Sequence, residues 1–211
     1  MNKEDIIVKK IAEKLKELLN NYQPLKEKFD VGCHINILKD IEIIPNPDTI
    51  RGKKTSKFCL IVGDAEQDIV VYRKDCKIEI PFDNCNIKKA KRSFIKMKNH
   101  VPHVIIPYII FEIKYKKINT HQVTQYSSMA GQMKELFPHL SYSLVIIDSF
   151  ADYSEKVGRH GKNFDKIIPL LIDPDTENGI KRIADNLFGS IKTTINYQQP
   201  MLFFGISESE K

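Results

Sequence analysis

The chain has 211 residues, 42% of them hydrophobic, a formal net charge of +6 and a pI of about 9.0. That is enough apolar material for one full core, so a single domain with elaborations is expected over residues 1–211. There is no run of about eighteen apolar residues, and the charged start MNKEDIIVKK has no signal-peptide pattern. A spanning helix is thereby excluded, and a soluble, cytoplasmic protein with no membrane partner is expected.

Ile7, Ile11, Leu15, Leu18 and Leu19 recur at helical spacing and predict a helix over Lys3–Leu19, stopped by Asn20-Asn21. Gly32–Ile44 reads as turn and strand, ending at PNPD. Arg51–Lys57 (RGKKTSK) is a basic loop, suited either to phosphate contact or to solvation. Two short strands follow, Phe58–Val62 and Ile69–Tyr72. The turn-forming GDAEQ between them should deliver Asp68 at the mouth of the second, with Asp64 and Glu66 as substitutes in another register. The four cysteines, Cys33, Cys59, Cys76 and Cys85, form no Cys-x-x-Cys pair, so neither a zinc ribbon nor a redox motif is signalled.

Arg73–His103 reads as an insertion with a short alternating segment, KIEI, and a basic stretch. From Asn86 to His100 there are six basic residues, Lys88, Lys89, Lys91, Arg92, Lys96 and Lys98, and no acid. Interleaved with Phe94, Ile95 and Met97, they suit contacts that track a DNA backbone. The alternative is a solvated face pinned to the body by those apolar residues.

Val104–Phe137 is the stretch around which the rest is organised. Its first half is β-branched and aromatic and too apolar for a solvated edge, so it reads as a central strand buried on both faces. Glu112 and Lys114 are two apart and share one face, while Ile109, Phe111, Ile113 and Tyr115 take the other. Buried charges are costly unless they pair, which leaves either a structural ion pair or a chemical site. Thr120 or Asn119 then caps a helix on which Gln122 and Tyr126 share a face.

Further on, Ser143–Ile147 is a short apolar strand ending at Asp148. GRHGK follows, where Arg159, His160 and Lys162 between glycines suit entry into a DNA groove. Lys166–Ile172, broken by Pro169, reads as an edge strand or an extended segment. Asp173–Thr176 caps a helix through about Leu187, and MLFFGI (Met201–Ile206) reads as a late strand.

The order of these features, an acid (Asp68) at a strand start, Glu112-x-Lys114 on the next long strand, then a helix with Gln122 and Tyr126, resembles the PD-(D/E)xK nuclease superfamily. The likeness covers roughly Phe58 to Asp148. It implies an α/β, restriction-endonuclease-like fold with a mixed central β-sheet flanked by helices. It further implies Mg²⁺-dependent hydrolysis of double-stranded DNA, most like a type II restriction endonuclease, by a homodimer. Repair, recombination or phage-defence nucleases, or an inactive binding module, share that core. By this resemblance Asp68, Glu112 and the Ile113 carbonyl hold Mg²⁺, for which hard oxygen ligands are suited. Lys114 orients or deprotonates the attacking water or neutralises developing charge. Gln122 and Tyr126 assist. Relatives of this kind often carry a further glutamate on the first helix, for which Glu4, Glu13, Glu17 and Glu27 compete, Glu4 lying nearest the apolar stripe.

Overall fold

The computed structural model describes residues 2–45, 58–74, 78–79, 86–87, 95–98, 101–116, 118–148 and 158–203, with the backbone alone for 42–45, 58–62, 78–79, 86–87, 95–98, 101–104 and 197–203. Helix α1 (Lys3–Asn21) starts at a capping box between Asn2 and Asp5, and Ile7, Val8, Ile11, Leu15 and Leu19 form its buried stripe. The one-turn helix α2 (Gln23–Lys26) follows. Strands β1 (Phe29–Pro45) and β2 (Phe58–Arg73) form a long antiparallel hairpin, paired from Phe29–Arg73 to Pro45–Phe58. Short strands β3 (Ile78–Glu79), β4 (Asn86–Ile87), β5 (Ile95–Lys98) and β6 (Val101–Val104) lead to β7 (Pro107–Tyr115). Helix α3 (Thr120–Leu136), strands β8 (Ser141–Ile147) and β9 (Lys166–Leu170), and helix α4 (Glu177–Phe203) complete the described elements.

The main sheet has the order β1-β2-β7-β8-β9, with β4 paired to β2 at Cys59–Leu60. Strand β2 is antiparallel to both of its neighbours, β1 and β7, and β7, β8 and β9 are parallel. This is a mixed sheet flanked by helices, an α/β architecture. A second, three-stranded sheet has the order β3-β6-β5. β7 and β8 lie at the centre and are buried along nearly their whole length. Each fully buried aliphatic or Phe side chain there contributes about 1.5–3 kcal/mol. One face packs on α1 and α4 through Ile69, Val71, Ile109, Phe111 and Ile113. The other packs on α3 through Val70, Ile110, Tyr142, Ala130 and Met133. The central strand, its alternation and the edge position of β9 agree with the sequence.

Three expectations are corrected. GDAEQ is not a turn: β2 runs unbroken for 16 residues, and Asp68 lies inside it. Gly63 is needed instead for close approach, since a Cβ there would meet the Asp40 side chain, next to the register shift between Leu38 and Asp40. The helix after Asp173–Thr176 does not end near Leu187. It continues to Phe203, because Ile183, Leu187, Ile191 and Ile195 carry its buried stripe onward. Met201–Phe203 therefore belongs to that helix rather than to a strand, a confusion inherent in short apolar runs. No described helix is long and apolar enough to cross a membrane.

Candidate active site

Asp68 is delivered by a change of face within the β1–β2 hairpin. Val31 and Cys33 pack toward α1 and α4, yet Ile35 and Ile37, of the same parity, pack toward α3. On the partner strand Ile69 and Val71 face one way and Ala65 the other. The switch falls between the pairs Cys33–Ile69 and Ile35–Gln67. There His34 adopts a left-handed backbone, φ 52°, which rotates the strand about its axis. Both Gln67 and Asp68 consequently lie near the α3 side of the sheet.

At the same level β2 and β7 part, since their last pair is Ile69–Phe111. Beyond it the edge of β7 needs new partners for its N–H groups. Asp68 Oδ2 accepts from Ile113 N at 2.8 Å, and Glu4 Oε2, from the start of α1, accepts from Tyr115 N at 3.1 Å. Two carboxylates thus stand where strand carbonyls would otherwise be. In a strand the N–H and C=O of one residue leave on the same side, so the Ile113 carbonyl faces this gap too.

The Lys114 ammonium lies among three carboxylates. It is 3.0 Å from Glu112 Oε1, 3.2 Å from Glu4 Oε1 and 3.7 Å from Asp68 Oδ2. Its fourth neighbour is the ring of Tyr126, with the centroid 4.6 Å from Nζ, a cation–π contact. Glu112 and Lys114 are only 3% and 5% exposed, so the charges interact at low dielectric. Burial, with the neighbouring Asp68 charge, pushes the Glu112 carboxyl up to about 7, against the opposing pull of Lys114. Burial also raises Asp68, outweighing Lys114 and the Ile113 N–H. For Lys114 burial favours the neutral amine, but Glu112, Asp68 and Glu4 together hold the proton on more firmly than usual. The Tyr126 hydroxyl is raised by burial and by Glu112.

The structure therefore gathers Asp68, Glu112, Lys114, Tyr126 and the Ile113 backbone where β2 and β7 part, partway along the sheet rather than at its end. Gln122 does not join them through its Oε1. That atom accepts from Asn119 N while Asn119 Oδ1 accepts from Gln122 N, a capping box that starts α3. Arg159, His160 and Lys162 are exposed beside α3. Their segment is docked by Asn163, whose amide rests against Gly131 and donates to Ser127 O at 2.8 Å. Lys96 and Lys98 lie on β5, while Lys88, Lys89, Lys91 and Arg92 fall outside the described residues.

Three members were not singled out by sequence. Glu4 was one of four open choices; its signal is its place one turn before Ile7 and Val8 on the buried stripe. Gln67 and Tyr142 are fully buried. Tyr142 Oη donates to Gln67 Oε1 at 2.7 Å and lies 3.5 Å from Glu112 Oε2. Gln67 lies within the polar run Gly63–Asp68, so nothing in the local sequence marked it for burial.

Among the described residues no three His, Cys, Asp or Glu side chains form a ready metal-holding group. The donor chemistry nevertheless fits a hard divalent cation: two carboxylates and a carbonyl face one gap, and three acids surround one ammonium. That excess of negative charge is what a cation would neutralise. No protein-family model matches the chain, and no curated protein is significantly similar to it.

Proposed function

We propose that the chain is a Mg²⁺-dependent endonuclease that hydrolyses phosphodiester bonds of double-stranded DNA. The observation that carries this reading is the convergence of Asp68, Glu112 and Lys114 where β2 and β7 part, with Glu4 and Tyr126 completing the shell. An ion pair serving stability alone needs one carboxylate per ammonium, and this site holds three. The PD-(D/E)xK resemblance and the mixed, helix-flanked sheet support the same reading.

Asp68, Glu112 and the Ile113 carbonyl would hold Mg²⁺, which supplies Lewis acidity toward a phosphate oxygen and an acidified water. Lys114, kept protonated by its carboxylates, is unsuited to act as a base in this state. Its role is to donate hydrogen bonds to the water or the phosphate and to offset charge that grows in the transition state. Tyr126 holds the ammonium on its ring face and limits its rotamers. Glu4 ties the start of α1 to β7 and so fixes the rim of the site. Arg159, His160 and Lys162, with the basic residues of the Asn86–His100 segment, are the groups proposed to meet DNA.

Supercoiled plasmid incubated with the full chain, with Mg²⁺ and with chelator, tests the reading. Discrete Mg²⁺-dependent fragments are expected. Smearing indicates a less selective nuclease of the same chemistry, whereas a gel shift without cutting leaves a binding module and overturns the enzyme. Among the described residues each chain offers one such site, and a duplex needs two scissions, so a two-fold dimer on DNA is expected. Sedimentation of the complex checks it, and a one-to-one complex that accumulates nicked circles first refutes the dimer.

A further inference from the structure

Gln67 and Tyr142 are both fully buried, yet neither is placed among the ion's donors. The Gln67 amide is pinned, because Nε2 donates to the carbonyls of Glu66 at 3.0 Å and Ala65 at 3.3 Å, with Met129 Sδ at 3.6 Å. That orientation leaves Oε1 facing Tyr142, whose hydroxyl donates to it at 2.7 Å. The same hydroxyl stands 3.5 Å from Glu112 Oε2, while the other oxygen of Glu112 faces Lys114. A tyrosine hydroxyl carries one proton. Two buried acceptors therefore compete for it, and Gln67 holds it by the shorter contact.

We propose that Tyr142 is a positioning residue for Glu112 and that Gln67 is its competitor for the Tyr142 proton. When Glu112 binds a cation, the hydroxyl rotates about the Cζ–Oη bond and donates to Oε2 instead, fixing the carboxylate in its ion-binding rotamer. The inference rests on the metal-dependent reading above. Its physical basis is that a buried ligand carboxylate needs a donor on its free oxygen, and the Tyr142 hydroxyl stands within reach of Oε2. Partners of this kind commonly change metal affinity by about 10–100-fold.

The two residues should then act with opposite sense, which a shared packing role would not produce. Calorimetric titration of the full chain with Mn²⁺ tests this on Tyr142→Phe, Gln67→Met and the double variant, with thermal melts as a control for folding. Tyr142→Phe should weaken Mn²⁺ binding about tenfold or more. Gln67→Met, close in volume, should leave it unchanged or tighter, and should have no effect in the Tyr142→Phe background. Equal weakening by both single variants, or no weakening by Tyr142→Phe, overturns the proposal. A metal-free crystal structure of the Gln67→Met variant gives a readout that does not depend on the nuclease reading. There the distance from Tyr142 Oη to Glu112 Oε2 should close from 3.5 Å to about 2.7 Å. A distance that stays long shows that no competition exists. If the wild-type chain takes up no Mn²⁺, the positioning role falls together with the nuclease reading, while that structure still decides who holds the proton.

Discussion

Strands β2 and β7 run side by side over two lengths with contrary chemistry. From Ile69 to Tyr72 they are laddered to Pro107–Phe111, and Ile69, Val70, Val71, Ile109, Ile110 and Phe111 are at most 1% exposed. One step further the ladder stops, and the same two strands present Asp68, Glu112 and Lys114. The first length is laddered strand to strand and buries mainly apolar side chains, so packing decides its geometry. In the second, carboxylates replace strand carbonyls and charges are forced together, so the fold is held to an arrangement it would not choose for stability. Polar groups buried at a parted sheet are where a fold trades stability for chemistry.

The largest effect should come from Lys114→Met. It leaves Glu112, Asp68 and Glu4 without their cation, which should destabilise the metal-free chain by about 3–5 kcal/mol. Cleavage should fall by roughly 10²–10³-fold, the usual cost of one lost electrostatic donor. Urea melts with and without Mg²⁺, alongside plasmid cutting, check both. Unchanged stability would mean that the carboxylates are not held by the ammonium, and the contrast between the two lengths would lose its electrostatic basis.

Phe111→Ala tests the other length. It should also lower stability by about 3–5 kcal/mol through the cavity left in the core. Here cleavage per folded molecule should survive, since Phe111 faces α1 and α4 rather than the site. Activity measured at low temperature and normalised to the folded fraction by circular dichroism is the check. A loss beyond about tenfold would show that the two lengths are mechanically coupled, at an energy of about 1.4 kcal/mol.

The paired length was legible in the sequence because period two, applied to PYIIFEIKY, assigns each residue its face unaided. It put Glu112 and Lys114 together for the same reason. The parted length was only half legible. GDAEQ has the composition of a turn, and no local pattern reveals that β1 pairs straight past it. The rotation at His34 is a tertiary matter, as are Gln67 and Tyr142, which meet across 75 positions. Gln122 shows the converse: its spacing from Tyr126 suggested a shared site, yet Asn119 three residues earlier is the stronger local signal, a helix cap.

A third test uses pH. Glu112 sits at about 7 instead of near 4.5, and Asp68 is displaced in the same direction. A carboxyl raised on folding stabilises the fold while protonated in both states and loses that contribution as pH climbs through its folded value. The metal-free wild type should therefore weaken between about pH 4.5 and 7. Glu112→Gln cannot ionise there and should escape much of this loss. Relative to wild type it should gain on the order of 1–3 kcal/mol at pH 8 compared with pH 5, while losing cleavage. Urea midpoints at the two pH values decide it. A variant destabilised alike at both would mean that Glu112 is ionised at little cost.

The smallest effect belongs to Glu4, and it separates charge from hydrogen bonding at the seam of the two lengths. Its carboxylate does two things at once, contacting Lys114 through Oε1 and accepting the Tyr115 N–H through Oε2. Glu4→Gln keeps an acceptor for that N–H and removes only one of three negative charges around the ammonium. Since the Glu4 side chain is 33% exposed, water screens the loss, and stability should change by less than about 1 kcal/mol. Glu4→Ala removes the acceptor too and should cost a further 0.5–1.5 kcal/mol, roughly one hydrogen bond. Both should cut DNA more slowly than wild type. If Gln and Ala are equally slow, the charge is what the site uses. If Gln retains full activity and Ala does not, Glu4 serves as an edge cap for β7, and the negative field of the site is supplied by Asp68 and Glu112. Cleavage rates and urea melts of the two variants, measured side by side, distinguish these outcomes without requiring the metal to be located.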